Sequence, residues 1–321
     1  MKTNLIVLGG GESGVGAAYL ANKNGMNVFL SEINIIENSY KKILIDNGIE
    51  FEEGKHSLNK ILKANEIIKS PGIPNDCDLV LKILKNNIPI VSEIEFASRF
   101  TNAKIIGVTG SNGKTTTTCL IYHILKSSGL NVGICGNIGN SFAFLISKNK
   151  FDFIVIELSS FQLEGVFQFR PKIAVITNLS PDHLERHDNS FKKYIDAKFN
   201  IISNQLSSDF LIYNGDDTSI EKEIKFRKIN SSKLSFSFLK NTSSSQTYIE
   251  NNKMQSQINK NKFMISIENL SLKGKHNIQN SMAAATVAQL LNISNQALKE
   301  SLGNFQSINH RMENVLTIQK V

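Results

Sequence analysis

Ile105-Ile106-Gly107-Val108-Thr109-Gly110-Ser111-Asn112-Gly113-Lys114-Thr115-Thr116-Thr117 is a β-branched apolar run that breaks into a glycine-bracketed turn. A helical pattern then opens, with Cys119, Leu120, Ile124 and Leu125 apolar. Strand, loop and helix in that order form a phosphate-binding loop: backbone N–H groups and the positive helix end face the phosphates, the lysine reaches the outer ones, and a threonine hydroxyl can hold Mg²⁺. Val108 stands where the usual pattern carries its first glycine. A tight turn with an exposed lysine is the plain alternative. Gly-Lys-Thr directly after a strand favours a nucleotide, ATP or GTP.

At 321 residues the chain exceeds the size at which one core keeps growing, so two or three domains are expected. Net charge is +8, from 36 basic and 28 acidic residues. The lysines are scattered among Asn and Ile with no basic stripe interleaved with aromatics, which argues against nucleic acid and for anionic small molecules. Cys77, Cys119 and Cys135 lie far apart, which supports neither a disulfide framework nor a zinc knuckle. The start of the chain lacks the pattern of a signal peptide. No apolar run approaches the roughly 20 residues that span a bilayer. The expectation is a cytoplasmic protein without a membrane partner.

Upstream of the loop, Leu5 to Leu8 reads as a buried strand, and Gly9, Gly11 and Gly14 fit G-x-G-x-x-G before a helix over Val15 to Ala21. The next strand, Asn27 to Leu30, ends at Ser31-Glu32, where a ribose-binding acid of a dinucleotide fold would lie. An NAD site, another diphosphate on a helix N-terminus, and simple tight packing all fit this motif. Further short strands at 49–51, 66–70 and 89–91, with helices near 36–47 and 76–87, predict a small open parallel sheet. Ser70-Pro71-Gly72-Ile73 ends one strand in a rigid turn at the ligand-binding edge of such a sheet. Residues 92–101 read as a bridge.

Downstream, strands at 132–135, 153–156, 173–177 and 210–213 predict a second α/β sheet. The strand from Phe153 ends at Glu157, as expected of a carboxylate that holds Mg²⁺ beside a phosphate loop. Asn178 to His187 sets His183 and His187 four apart beside acids, a spacing that puts both on one helical face and allows a transition metal. Lys198 cannot be chosen over Lys192 or Lys193 from its surroundings in the sequence. Residues 230–269 read as a small antiparallel meander with loose loops. Asn277 and Asn280 then share one side of an Ala-rich helix, so that both amides can meet one ligand edge.

Thr109 to Thr116, Glu157-Leu158-Ser159-Ser160-Phe161-Gln162-Leu163-Glu164, Gly136-Asn137-Ile138-Gly139, Asn178 to His187 and His310-Arg311-Met312-Glu313 together resemble the Mur ligase family. These are ATP-dependent amino-acid ligases of bacterial cell-wall precursor synthesis. The likeness covers essentially the whole chain and is strongest to the D-glutamate-adding branch. It implies an α/β fold: a Rossmann-like parallel-sheet domain at 1–94, a central P-loop ATPase-like domain with the small meander at 95–303, and the start of a C-terminal domain at 304–321. It implies ATP on Gly110, Ser111, Asn112, Gly113, Lys114, Thr115 and Thr116, with Asn277, Asn280 and Arg311 as further contacts. Thr115 and Glu157 would hold Mg²⁺ (or Mn²⁺), His183 would help bind a second ion, and Lys198 matches the lysine that becomes carbamylated.

Lys114, Glu157, His183 and Lys198 are the implied catalytic set. UDP-N-acetylmuramoyl-L-alanine would lie on Gly11, Ser13, Gly14, Ser31 and Glu32, with Ser70, Pro71, Gly72, Asn137 and Ser159 completing its site, so the glycine motif serves a UDP diphosphate. D-glutamate is the implied second substrate, and a monomer the implied state. In the family a third α/β domain follows the His-Arg-x-Glu motif, whereas only Asn304 to Val321 remain here. The implied behaviour of the 321 residues is therefore binding without unaided ligation.

Overall fold

The computed structural model describes residues 4–238, 245–258 and 261–306. Chain contacts divide it into two compact units. One comprises Met1–Asn102, Asn140–Lys150 and Ser160–Phe169; the other comprises Ala103–Gly139, Phe151–Ser159 and Arg170–Val321. The family resemblance implies a joint at 94/95. By contacts the first unit runs on to Asn102 and takes in two segments from inside the second stretch.

In the first unit, β1 (Asn4–Leu8), β2 (Asn27–Ser31), β3 (Glu50–Glu52), β4 (Glu66–Lys69) and β5 (Ile90–Val91) form an all-parallel sheet in the order β3-β2-β1-β4-β5. Leu5, Val7, Leu8 and Leu30 are fully buried, as expected of strands covered on both faces. The helix Glu12–Lys23 crosses over between β1 and β2 and buries Gly14, Val15, Ala17, Ala18 and Ala21. A Cβ on Gly14 would stand 1.9 Å from the Gly9 carbonyl oxygen, so only glycine permits this approach of helix to strand end.

The segment read as a bridge is a helix, Glu93–Ser98, capped by Ser92, whose hydroxyl accepts from the Glu95 N–H. Two buried acids explain its place. One oxygen of Glu95, Oε2, accepts the N–H groups of Phe167, Gln168 and Phe169 at 2.8–2.9 Å. Glu93 accepts from the Ala143 N–H at 2.5 Å, beside Glu12, which accepts from Ser141 N–H at 2.8 Å. Side-chain carboxyl groups thus satisfy orphan amides of segments distant in the chain. Sequence periodicity carries no trace of such pairings.

The second unit holds β6 (Lys104–Thr109), β7 (Val132–Gly136), β8 (Phe153–Glu157), β9 (Ile173–Ile176), β10 (Phe210–Asn214), β11 (Ser232–Ser237), β12 (Ser245–Glu250), β13 (Lys253–Ile258) and β14 (Asn261–Ser266). They form one sheet in the order β14-β13-β12-β11-β10-β9-β6-β8-β7. The antiparallel meander expected over 230–269 is part of this mixed sheet. β11 and β12 continue the parallel sheet, and among the described residues only β12–β13 and β13–β14 pair antiparallel. The strand β13 escapes sequence reading because Lys-Met-Gln-Ser-Gln-Ile is mostly polar. Its buried face is Met254, Ser256 and Ile258, and the Ser256 hydroxyl is satisfied by Thr247 at 2.9 Å.

The core of this unit gathers Ile106, Val108, Leu120, Ile124 and Val155 with Ala283, Ala284 and Ala285 of the helix Lys275–Leu290. That helix lies against the helix Lys114–Ser127 and the strands β10 to β13. Its run of alanines lets it sit close to its neighbours. Among the described residues no helix is long and apolar enough to cross a membrane.

Burial, with a smaller contribution from Glu12, pushes the Glu93 carboxyl up to about 8, the Ala143 N–H opposing. The folded chain then binds a proton that the unfolded chain has released between the ordinary value of 4.5 and about 8. Stability contributed by the protonated form is present below pH 4.5 and is lost as pH rises towards 8. Glu93→Gln keeps an acceptor for the Ala143 N–H and removes the titration. Urea midpoints measured across this window should fall less steeply with pH in the variant than in the unaltered chain.

Candidate functional site

The loop from Thr109 to Lys114 joins β6 to the helix Lys114–Ser127, with Gly110 at φ +147° and Gly113 at φ +77°. A Cβ on Gly110 would lie 2.0 Å from Thr177 Oγ1, and one on Gly113 would lie 2.4 Å from Asn280 Oδ1. Both glycines are therefore needed by conformation and by space. The loop is clasped from β9, the neighbour of β6. Beyond its end, Thr177 Oγ1 donates to the Asn112 carbonyl at 2.7 Å, and Asn178 Nδ2 donates to the same oxygen at 2.8 Å. In return the Ser111 N–H donates to the Asn178 carbonyl and the Asn112 N–H to Asn178 Oδ1. Ser111 Oγ is 2.8 Å from the Ser180 carbonyl and 2.9 Å from the Tyr194 hydroxyl.

Two lysines converge on this loop. Lys114 Nζ donates to the Ser111 carbonyl at 2.8 Å, and Lys198 Nζ to the Gly110 carbonyl at 2.7 Å. Lys198 is 2% exposed and lies 4.6 Å from the Tyr194 ring centre. Burial, then the charge of Lys114, pushes its amine down to about 7, with Asp182 and Glu157 opposing. Burial also lowers Lys114 from its ordinary value. Two cations held together in poor solvent make a place for an anion.

Glu157 ends β8, opposite Val108 of β6, and is 1% exposed. Its Oε1 accepts from Asn137 Nδ2 at 3.0 Å. Its Oε2 is buried without a hydrogen-bond partner among the described residues. A buried carboxylate oxygen left unsatisfied beside a phosphate loop suits a hard divalent cation. Thr115 is exposed in the first turn of the helix.

His183 and His187 do not share a helical face. His183 is left-handed at φ +51° and caps a short 3₁₀ turn, Leu184–His187. Its ring is 3.7 Å from Asp182 and 3.8 Å from Glu185 at an exposed position, whereas His187 is buried against Tyr194. Asp188 and Asn189 are left-handed too, and these turns break the α-helical spacing that the sequence suggests. Among the described residues no three His, Cys, Asp or Glu side chains gather as a metal cluster.

Asn280 is buried, accepts from Thr117 Oγ1 at 3.2 Å and directs its Nδ2 to Asn277 Oδ1 at 3.4 Å. It buttresses the loop, while Asn277 donates back to the Lys273 carbonyl. Ser159 is half-buried just after β8. Arg311 and its motif lie outside the described residues.

In the first unit the strand ends frame a cleft of about 750 Å³. Gly11, Ser13, Glu32, Ser70, Pro71 and Gly72 line it. Gly14 packs beneath it against Gly9. Glu32 accepts the Gly10 N–H at 2.6 Å and the Asn34 N–H at 2.8 Å. Ser31 is wholly buried and does not line the cleft; its hydroxyl meets Glu52 and His56. Ser70 Oγ is buried with no hydrogen-bond partner among the described residues.

The clasp residues Thr177 and Asn178 and the ring of Tyr194 carry no role in the sequence reading. Their signal was positional: two polar residues directly after an apolar strand, at the same sheet edge as the loop.

The chain thus pairs an all-parallel five-stranded sheet with a clasped glycine loop between strand and helix in a second sheet. The family model of the Mur ligase middle domain matches residues 108–288, and that of the MurD N-terminal domain matches residues 4–79. The chain belongs to the Mur ligase family. It is 46% identical over 321 residues to the UDP-N-acetylmuramoylalanine–D-glutamate ligase of Christiangramia forsetii, covering 100% of this chain and 72% of that protein. To the enzyme of the same name from Bacteroides fragilis it is 46% identical over 317 residues, covering 99% and 71%. In fold it is similar to a UDP-N-acetylmuramate:L-alanyl-γ-D-glutamyl-meso-diaminopimelate ligase of Neisseria meningitides, with a TM-score of 0.65 at 20% identity over 96% of this chain and 100% of that one.

Asn178→Ala removes two hydrogen bonds that hold the Asn112 peptide, each worth about 1 kcal/mol. Amide exchange at Asn112 should speed up, and ATP affinity should fall by about tenfold, read by hydrogen-exchange mass spectrometry and calorimetry.

Proposed function

We propose that the second unit binds ATP and a divalent cation, that the cleft of the first unit binds the UDP end of UDP-N-acetylmuramoyl-L-alanine, and that both serve ATP-dependent addition of D-glutamate in peptidoglycan precursor synthesis. The observation that carries this reading is Glu157 Oε2, buried and unpartnered at the strand end beside the clasped loop. In domain terms, 1–94 would be the UDP-substrate domain, 95–303 the ATP domain, and 304–321 the beginning of a third. The setting would be the cytoplasm, with the chain acting as a monomer on small molecules.

Backbone N–H groups of the first helical turn, which have no intrahelical partners, would receive the ATP phosphates. Lys114 would neutralise the outer phosphates, with Gly110, Ser111, Asn112, Gly113, Thr115 and Thr116 around them and Asn277, Asn280 and Arg311 as further nucleotide contacts. Thr115 and Glu157 would hold one Mg²⁺ (or Mn²⁺), and His183 with Lys198 a second. The cation supplies positive charge against the transferring phosphoryl group. Lys198, pushed down to about 7, holds an unprotonated fraction at neutral pH. An uncharged amine can add to CO₂ and lose a proton, so a carbamate there would give a carboxylate-like ligand.

The alanyl carboxylate would take the γ-phosphoryl group of ATP, releasing ADP and forming an acyl phosphate. The amine of D-glutamate would then displace phosphate to give the amide. ATP is required because a carboxylate is a poor acyl donor in water. Gly11, Ser13 and Gly14 would shape the diphosphate site, and Ser31, buried, would act through its neighbours. Glu32 would stand at the ribose, with Ser70, Pro71, Gly72, Asn137 and Ser159 towards the muramoyl-peptide.

Calorimetric titration with UDP-N-acetylmuramoyl-L-alanine, with NAD as control, tests the first unit. Binding of the UDP compound and none of NAD is expected; tight NAD binding would overturn the reading. In the second unit, Glu157→Gln should abolish the strengthening of ATP binding by Mg²⁺ while changing metal-free ATP affinity less than about threefold. An unchanged Mg²⁺ effect would refute the role given to Glu157.

A further inference from the structure

The ends of β1, β2 and β3 follow one another along the sheet and form one side of the first-unit cleft. Neighbouring strands lie about 4.8 Å apart. A nucleotide with its diphosphate on the glycine turn after β1 would carry its ribose past the end of β2 and its base to the end of β3. Glu32 follows β2, and His56 follows β3. Both line the cleft, as does Ile33, which is 53% exposed and gives the base an apolar platform.

His56 is held in one tautomer by a chain of hydrogen bonds. The buried Ser31 hydroxyl lies 2.7 Å from Glu52 Oε1 and 2.7 Å from His56 Nδ1. Burial pushes the Glu52 carboxyl up, but hydrogen bonds from the Ser57 N–H, the Ser57 hydroxyl and Ser31 outweigh this and hold it below its ordinary value. Glu52 is therefore an acceptor only, and the one Ser31 proton goes to it. The Ser31 oxygen must then accept from His56, which fixes the ring proton on Nδ1. Burial lowers the His56 pKa, although Glu32 and Glu52 oppose it, so the ring is neutral at pH 7. Its Nε2 carries a lone pair and has no hydrogen-bond partner among the described residues.

We propose that His56 Nε2 reads the base of the bound nucleotide by accepting its imide N–H, which selects uridine over cytidine. Uracil carries a hydrogen on N3, whereas cytosine carries a lone pair there that would face the lone pair of Nε2. The assignment rests on the cleft being a UDP site and adds the side chain that chooses the base.

The test is calorimetric titration of the 321-residue chain with UDP and with CDP. The unaltered chain should bind UDP at least about tenfold more tightly than CDP. His56→Phe keeps a ring of similar shape without nitrogens and should bring the two affinities within about twofold. Ser31→Ala unlocks the tautomer and should shrink the preference; it decides the matter if the phenylalanine variant does not fold. An undiminished preference in the folded variant, or no preference in the unaltered chain, overturns the role of His56 and leaves the UDP site standing. Failure of the unaltered chain to bind UDP at all overturns the site and the base assignment together.

Discussion

The first turn of a helix has N–H groups with no partner inside the helix, and the second unit is built to hold the loop that presents them in one shape. The rigidity comes from outside the loop. Thr177 and Asn178, at the end of the neighbouring strand, take the Asn112 carbonyl and the Ser111 and Asn112 amides. Asn280 and Tyr194 press on it from two further helices. Preorganised donors need not be rearranged when charge arrives, which is where electrostatic binding and catalysis gain most. The parallel register of β6, β8 and β9 delivers the loop, Glu157 and the clasp to one edge.

Buried ionisable groups divide by their degree of satisfaction. Glu95 places one oxygen against three backbone amides, and Glu93 spans to Ala143. These acids hold the inserted segments 140–150 and 160–169 to the first unit. Glu95 Oε1 and Glu157 Oε2 both lack a hydrogen-bond partner among the described residues, but Glu95 Oε1 has the Arg99 guanidinium at 3.6 Å, while Glu157 stands beside the loop, where Lys198 has a neighbouring cation. A buried oxygen left without a hydrogen-bond partner beside a strand–loop–helix turn marks a place where a ligand can complete the electrostatics.

Reading the sequence gave most strands of both sheets and the phosphate loop, because buried parallel strands are continuous apolar runs and a Gly-Lys-Thr turn has a distinctive chemistry. It did less well where alternation is polar, as in β13, and where acids cap distant amides, as in the helix Glu93–Ser98. The two histidines show the limit of spacing arguments. Four residues apart implies one face only if the backbone is α-helical, and a left-handed His183 before a 3₁₀ turn is not.

The sequence by itself determined the α/β class, the two nucleotide-type turns and the family, since each rests on local residue order. The tertiary structure alone decided that β11 and β12 extend the parallel sheet and that Ser31 turns away from the cleft. It also decided that Lys198, rather than Lys192 or Lys193, is the buried amine. Lys198 donates to the Gly110 carbonyl, whereas Lys192 and Lys193 are exposed and paired with Asp196 and Asp188. These outcomes depend on burial and on partners far apart in the chain, which arise only when strands and helices pack.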